Sequence, residues 1–454
     1  MRYLLLIILI VVANQIFSQN YTLSISVDEY PSSYIYIADF YGDKNNIIDS
    51  ALTNDDGKAM FAFKKDAYNG MYRLYFNGSK KFVDFIFNNE NIILKTEYYY
   101  PMDSMKVISS VENIIYYNFL RADMEFQMKL ELLSPLMTYF PRSDSFYEKA
   151  KHKYSDTQDK REEYILKIEE NYPDAFATSV LLFKRMPKLP ATLTENEKYE
   201  FVRSHFFDKV EFTNPFLLRS DVYSSKILEY LTMYSNPKFN QSQLEDAFID
   251  AIDVLMSKPF DNKLVKNYVI DFLVKGFERY GFEKVLLHIA ETYNDDTECE
   301  DEAQKSDLQK RLDAYKRFAV GKIAPDFVVS DQTGKTIISS EIDADYIMLV
   351  FWATWCPHCT QMIPQIRDLY NKQEYKKIEV VAFSLDTNDK VWHKFIEDNN
   401  LNWINASDFK SWKSKIAVDY SIYATPTILV LNKNMKIVSK PLSMKLIEQE
   451  FNKR

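Results

Sequence analysis

The strongest constraint on this chain is an apolar run at 346–350 that leads without a break into Phe351-Trp352-Ala353-Thr354-Trp355-Cys356-Pro357-His358-Cys359. A strand feeding straight into a helix here places Cys356 at the helix N-terminus. There the unpaired backbone N–H groups and the positive end of the helix dipole favour a thiolate over a thiol. Cys356 then reads as a nucleophile. Cys359 lies one turn further on and more buried, placed to attack a mixed disulfide formed on Cys356 and release the partner. Two cysteines at this spacing can also close a small redox-active disulfide, Cys356–Cys359.

The rest of the composition narrows the setting for that chemistry. At 454 residues the chain is too long for one ordinary domain. Its net charge of −9 argues against non-specific nucleic-acid binding. Residues 1–20 carry Arg2, an apolar stretch at 4–13 and Ser18 before Gln19, the pattern of a cleaved secretory signal over 1–18. The apolar stretch is about half of the roughly 20 residues needed to span a bilayer. No cysteine lies near the cleavage point, so lipidation is not expected. Export leads to the periplasm or cell envelope, where disulfides persist. A chain with only three cysteines is nevertheless no disulfide scaffold, and the close pair reads as chemistry rather than a staple. The third, Cys299, sits among Asp295, Asp296, Glu298, Glu300, Asp301 and Glu302, carboxylates that disfavour its thiolate. It reads as an incidental thiol, with an intermolecular disulfide as the sharper alternative.

Residues 19–105 contain seven short runs rich in aromatic and β-branched residues, at 21–27, 34–40, 47–52, 59–63, 71–76, 82–87 and 92–98. Turn residues separate them at Pro31-Ser32-Ser33, Asn54-Asp55-Asp56-Gly57 and Asn69-Gly70, which predicts a small antiparallel β-sandwich. From 106 to 318 the spacing becomes helical, with stretches at 114–133, 146–171, 176–186, 244–256, 264–280 and 307–318. Pro173, Pro187, Pro190, Pro215, Pro237 and Pro259 fall between them, where helices should stop. An α-helical middle domain is expected. From 319 to 454 strands and helices alternate, giving a C-terminal α/β domain with a hairpin about Asp331-Gln332-Thr333-Gly334-Lys335.

The C-terminal region resembles the TlpA/ResA group of thioredoxin-like thiol-disulfide oxidoreductases of the bacterial envelope. The residues that carry the resemblance are Ala324-Pro325-Asp326-Phe327, the FWATWCPHC block, Pro364, and Ala424-Thr425-Pro426-Thr427 leading into Ile428-Leu429-Val430-Leu431. The 19–105 region is similar to the β-domain often found ahead of such domains, and the helical stretch beginning at Arg279 to the segment that precedes them. The resemblance implies a thioredoxin-like domain over 319–454, with 401–421 as the insertion that separates this group from plain thioredoxin. It implies a cis Thr425–Pro426 bond facing the cysteines, leaving the Thr425 backbone to pair with a substrate chain. Trp355, Pro357 and His358 join Thr425 and Pro426 as residues that tune the sulfurs or bind substrate. Its partners would be protein thiols and disulfides of the envelope, with a membrane-bound electron-transfer partner to reset the pair, and neither a cofactor nor a metal.

Two details set this chain apart within the group. The Cys-Pro-His-Cys tetrapeptide is that of the oxidising DsbA family, whereas TlpA/ResA relatives mostly act as reductants; His358 should favour the Cys356 thiolate. Proton acceptors found in relatives are replaced by Met362 and Val350, leaving Glu341 and Asp386 as substitutes. Other readings of the cysteine pair fare worse. Covalent haem attachment needs histidine where Thr360 stands, and a zinc site would have to gather the scattered His152, His205, His288 and His393. Ala353 stands where a peroxidatic site would have threonine. The competing class is an envelope binding or scaffold protein, in which the β and helical regions capture a partner and the redox pair is secondary.

Overall fold

In the computed structural model, residues 21–64, 66–294, 306–373 and 377–453 are described. The expected signal segment and Cys299 lie outside them. The chain divides between Phe272 and Leu273 into two compact units.

The first unit begins with eight strands: β1 (Thr22–Asp28), β2 (Tyr34–Tyr41), β3 (Lys44–Leu52), β4 (Lys58–Ala62), β5 (Gly70–Phe76), β6 (Phe82–Phe87), β7 (Ile92–Glu97) and β8 (Lys106–Ser109). They form two four-stranded sheets, ordered β4-β1-β7-β8 and β3-β2-β5-β6. Alternate residues of β1 (Leu23, Ile25, Val27) are fully buried, as are Leu74, Val83 and Phe85 of the other sheet. Rings from the two sheets meet directly: Phe63, just past β4, stacks on Phe87 at 3.9 Å. The all-antiparallel expectation needs correction, because β1 and β7 run parallel. Parallel neighbours require a long crossover, and the intervening strands, most of them in the second sheet, supply it. The eighth strand, β8, lies beyond the last of the seven expected runs.

Long helices follow at Val111–Tyr139 and Ser145–Asn171, and two side chains on consecutive turns of the first fasten it to the edge strand β6 by three hydrogen bonds. Asn113 accepts from the Ile86 N–H (2.8 Å) and donates to the Ile86 carbonyl (2.7 Å), completing a strand edge with a side-chain amide. Tyr117 donates to the Asp84 carbonyl at 2.6 Å. Glu112, buried, accepts from the N–H groups of Phe176 (3.0 Å) and Ala177 (2.8 Å), the start of helix Phe176–Leu182, whose own N-cap Ala175 has no side-chain acceptor. The helix expected to end by Leu133 continues through Pro135, which is exposed, so the carbonyl it leaves without a donor can turn to water. Helices Glu195–His205, Val222–Thr232 and Glu283–Tyr293 were not marked by apolar spacing.

In the second unit, β11 (Tyr346–Trp352) is the centre of a five-stranded sheet. Its order is β13-β12-β11-β14-β15, with β12 Ile378–Ser384, β13 Ile404–Ala406, β14 Thr427–Asn432 and β15 Ile437–Ser439; β9 (Val328–Ser330) and β10 (Thr336–Ile338) form a separate hairpin. β12 runs parallel to β11 and β14 antiparallel to it. Every residue of β11 after Tyr346 is buried, which only coverage on both faces allows. Trp352 meets Phe395 of helix Asp389–Asp398, while its neighbour Phe351 meets Tyr420, so the alternating side chains find partners on opposite faces. Among the described residues no helix is long and apolar enough to cross a membrane.

Candidate active site

The site forms where β11 ends. Leu385 N–H donates to the Trp352 carbonyl (2.8 Å), holding the strand straight to its last residue, and the chain then turns through Ala353-Thr354-Trp355. One buried carboxylate fixes this turn. Asp386, 2% exposed, accepts from the Thr354 N–H (3.0 Å), the Thr354 hydroxyl (2.6 Å) and the Ser384 hydroxyl (2.6 Å). The parallel register of β11 with β12 makes this possible, since it pairs Trp352 with Ser384.

Cys356 is the N-cap of helix Pro357–Asn371, with Pro357 at the first helical position, where its missing N–H costs nothing. Its Sγ accepts the Cys359 N–H at 3.3 Å and donates to the Thr425 carbonyl at 3.4 Å. Thr425 arrives there because Phe351 pairs with Thr427 across β11 and β14, and the Thr425–Pro426 peptide is cis. Cys356 is 6% exposed and Cys359 fully buried; both are free thiols. Burial, reinforced by the neighbouring Cys356, pushes the Cys359 thiol up to about 12. One sulfur thus stands at a helix end within reach of a partner, and the second waits behind it in protonated form.

Trp355 and His358 are exposed beside Cys356. The Trp355 ring has a neighbour that sequence reading missed: Trp412, on the short 3₁₀ turn Ser411–Lys413, 6.0 Å away at 55°.

The sequence profile of the AhpC/TSA family matches residues 320–440. The thiol-disulfide oxidoreductase ResA of Bacillus cereus is 32% identical over 133 residues, 29% of this chain and 75% of that protein. The chain belongs to the TlpA/ResA-like thiol-disulfide oxidoreductases. A second ResA, from Bacillus anthracis, is 31% identical over 133 residues, again 29% of this chain and 75% of the other. Among solved structures, a thiol-disulfide oxidoreductase from Bacteroides fragilis is 26% identical over 29% of this chain and 98% of its own, with a TM-score of 0.27.

In this ResA-like protein the two positions expected to lack a proton acceptor do lack one. Val350 is fully buried in β11 and Met362 packs against the core, and neither side chain titrates. Glu341 lies exposed at the end of the 3₁₀ turn Ser339–Glu341. Asp386 accepts from Thr354 and Ser384, which ties the turn before Cys356 to the end of β12. Thr354 and Ser384 were not singled out from sequence. The spacing Ser384-x-Asp386 could have suggested a local hydroxyl–carboxylate pair, but its link to Thr354 depends on strand register.

Proposed function

We propose that the protein exchanges disulfides with other proteins of the cell envelope through its Cys-Pro-His-Cys motif, Cys356 attacking and Cys359 resolving. The reading is carried by the hydrogen bond from the Cys359 N–H to Cys356 Sγ, 3.3 Å long. A backbone N–H at a helix start stabilises negative charge on the sulfur that must attack. In the first step the Cys356 thiolate attacks one sulfur of a partner disulfide; a mixed disulfide forms, and the partner's second sulfur leaves as a thiolate. Cys359 then attacks Cys356 Sγ, its proton passing to a departing thiolate. The intramolecular disulfide closes, and the partner leaves reduced, one sulfur carrying the Cys359 proton and the other a thiolate that takes its proton from water. The oxidised pair runs the same steps in reverse on a dithiol.

Thr425 beside Cys356 supports a role in aligning the partner's backbone, and Trp355, Pro357, His358 and Pro426 complete the proposed rim. The composition of 1–18 supports export to the periplasm or envelope. We read 19–105 as a β-sandwich, 106–318 as a helical domain and 319–454 as the redox domain, with a membrane-bound donor resetting the pair.

Insulin reduction by the wild type, lost in Cys356→Ser, tests the assignment; wild-type protein inactive with every reductant overturns it. Cys359→Ser should trap partners as mixed disulfides on Cys356. Glutathione titration should place the pair above thioredoxin, and a value at or below about −270 mV removes the tuning role from His358.

A further inference from the structure

We propose that Trp412 and Trp355 together form a seat for an aromatic or bulky aliphatic side chain flanking the partner's cysteine, with Lys410 and Lys413 selecting acidic neighbours of that cysteine. The proposal rests on Cys356 being the attacking sulfur.

Five tryptophans occur in the chain. Trp352, Trp392 and Trp403 are buried at 0%, 2% and 5% exposure, whereas Trp355 and Trp412 are 51% and 41% exposed and face each other. Both exposed tryptophans therefore lie at one place, and that place adjoins the reacting sulfur. A partner joined to Cys356 must cover Trp355, the preceding residue, and the ring 6.0 Å from it falls under the same footprint.

The turn that carries Trp412 is held in position at a conformational cost. Phe409 and Ser411 adopt φ of 56° and 55°, a left-handed conformation that non-glycine residues rarely take. Phe409 packs edge-on against Trp392 at 5.5 Å, and its N–H donates to the Ser407 hydroxyl (3.2 Å), which donates to the Ser384 carbonyl (3.0 Å). Ser384 also binds Asp386, so the loop bearing Trp412 and the turn bearing Cys356 share one anchor. Fixed aromatic rings around a reacting centre are what side-chain recognition requires, because little entropy is lost when a partner docks.

Charge narrows the partner further. Lys410 and Lys413 flank Trp412, and neither has an ion-pair partner among the described residues, whereas Lys415 is paired with Asp419. Asp408, whose carboxylate accepts the Lys410 N–H at 3.1 Å, offsets part of this charge, yet the two lysines outnumber it, against the −9 of the chain as a whole. The remaining positive charge favours a segment bearing Asp or Glu and disfavours a basic one.

The test uses the reduced full-length protein and two synthetic peptides, each carrying its cysteine as a mixed disulfide with glutathione. One has Phe and Glu beside the cysteine, the other Ser and Lys. Each rate is divided by that variant's own rate with bis(2-hydroxyethyl) disulfide. The wild type should prefer the Phe–Glu peptide by about tenfold in kcat/KM, the scale of one apolar contact. Trp412→Ala should remove the part of the ratio due to Phe, mainly through KM, leaving only the part due to Glu, and Trp412→Phe should restore most of what is lost. Raising the salt should erode the part due to Glu. Equal wild-type rates for the two peptides, or a normalised ratio unmoved in Trp412→Ala, overturn the proposal. A wild type inert to all three disulfides overturns the Cys356 assignment beneath it, so the two failures can be told apart.

Discussion

At the level of single residues, the division of labour between the two sulfurs rests on burial. Cys359 is fully buried and its thiol is pushed up to about 12, against about 8.5 for a free cysteine. It therefore stays protonated across the working range, and of the close pair iodoacetamide between pH 6 and 9 should modify Cys356 and spare Cys359. Peptide mass mapping checks this, and comparable labelling of Cys359 below pH 9 would contradict it. The sign for stability follows. A folded-state value above the unfolded one means the native state holds the proton more tightly, so the benefit is complete below about 8.5 and fades as pH rises toward 12. Urea midpoints of the reduced protein should fall over that window, and Cys359→Ala should flatten the slope. Asp386 is the other residue whose loss should be felt. Asp386→Ala leaves the part-buried N–H and hydroxyl of Thr354 without their acceptor, which should cost about 1–3 kcal/mol and slow insulin reduction by releasing the turn before Cys356. Asp386→Asn, which keeps one acceptor oxygen, should lose less on both counts. Undiminished turnover in the alanine variant would remove its positioning role.

Among the elements, the edge strand β6 and the helix Val111–Tyr139 are fixed to each other by Asn113 and Tyr117, and Glu112 on the same turn starts a second helix. Glu112→Ala leaves two N–H groups of helix Phe176–Leu182 without their acceptor. It should lower the urea-unfolding free energy by about 1–3 kcal/mol while leaving exchange with a small disulfide intact. Loss of that exchange would contradict the prediction. Much of the element pattern was legible. The run into Cys356 marked β11 and its helix because a fully buried strand leaves no polar position. The missed helix Glu195–His205 was written in Thr194-Glu195-Asn196-Glu197, a capping box whose two hydrogen bonds the structure forms. The parallel pairing of β1 with β7 was not legible, since alternation fixes which face a residue takes and says nothing of strand direction. The Asp386–Thr354 link and the meeting of Trp355 with Trp412 were hidden for a related reason. Each joins residues far apart in sequence through a register or loop path that local pattern does not encode.

For the molecule as a whole, the consequential fact is that the cysteine pair lies in a unit with a core of its own. One continuous cluster runs from Phe318 through β11, β12 and β14 to Ile447, and every residue in it belongs to the part after Phe272. Burial on this scale, with the strand order β13-β12-β11-β14-β15 complete within it, is what a domain needs to fold alone. The compact unit that holds the redox domain begins at Leu273, within helix Lys263–Tyr280, so a cut that keeps the whole unit should respect that helix. A fragment starting at Lys263 should therefore unfold in one cooperative transition and exchange with bis(2-hydroxyethyl) disulfide within about threefold of the full chain. A fragment starting at 319 discards helices Glu283–Tyr293 and Asp307–Arg317, including Ala314, which packs against the core, and should unfold at lower urea. Equal midpoints for the two fragments would show that those helices contribute nothing to the redox unit. A longer fragment that is folded yet inert toward the small disulfide would show that exchange depends on the first unit, and that the β and helical regions serve the chemistry itself rather than partner capture.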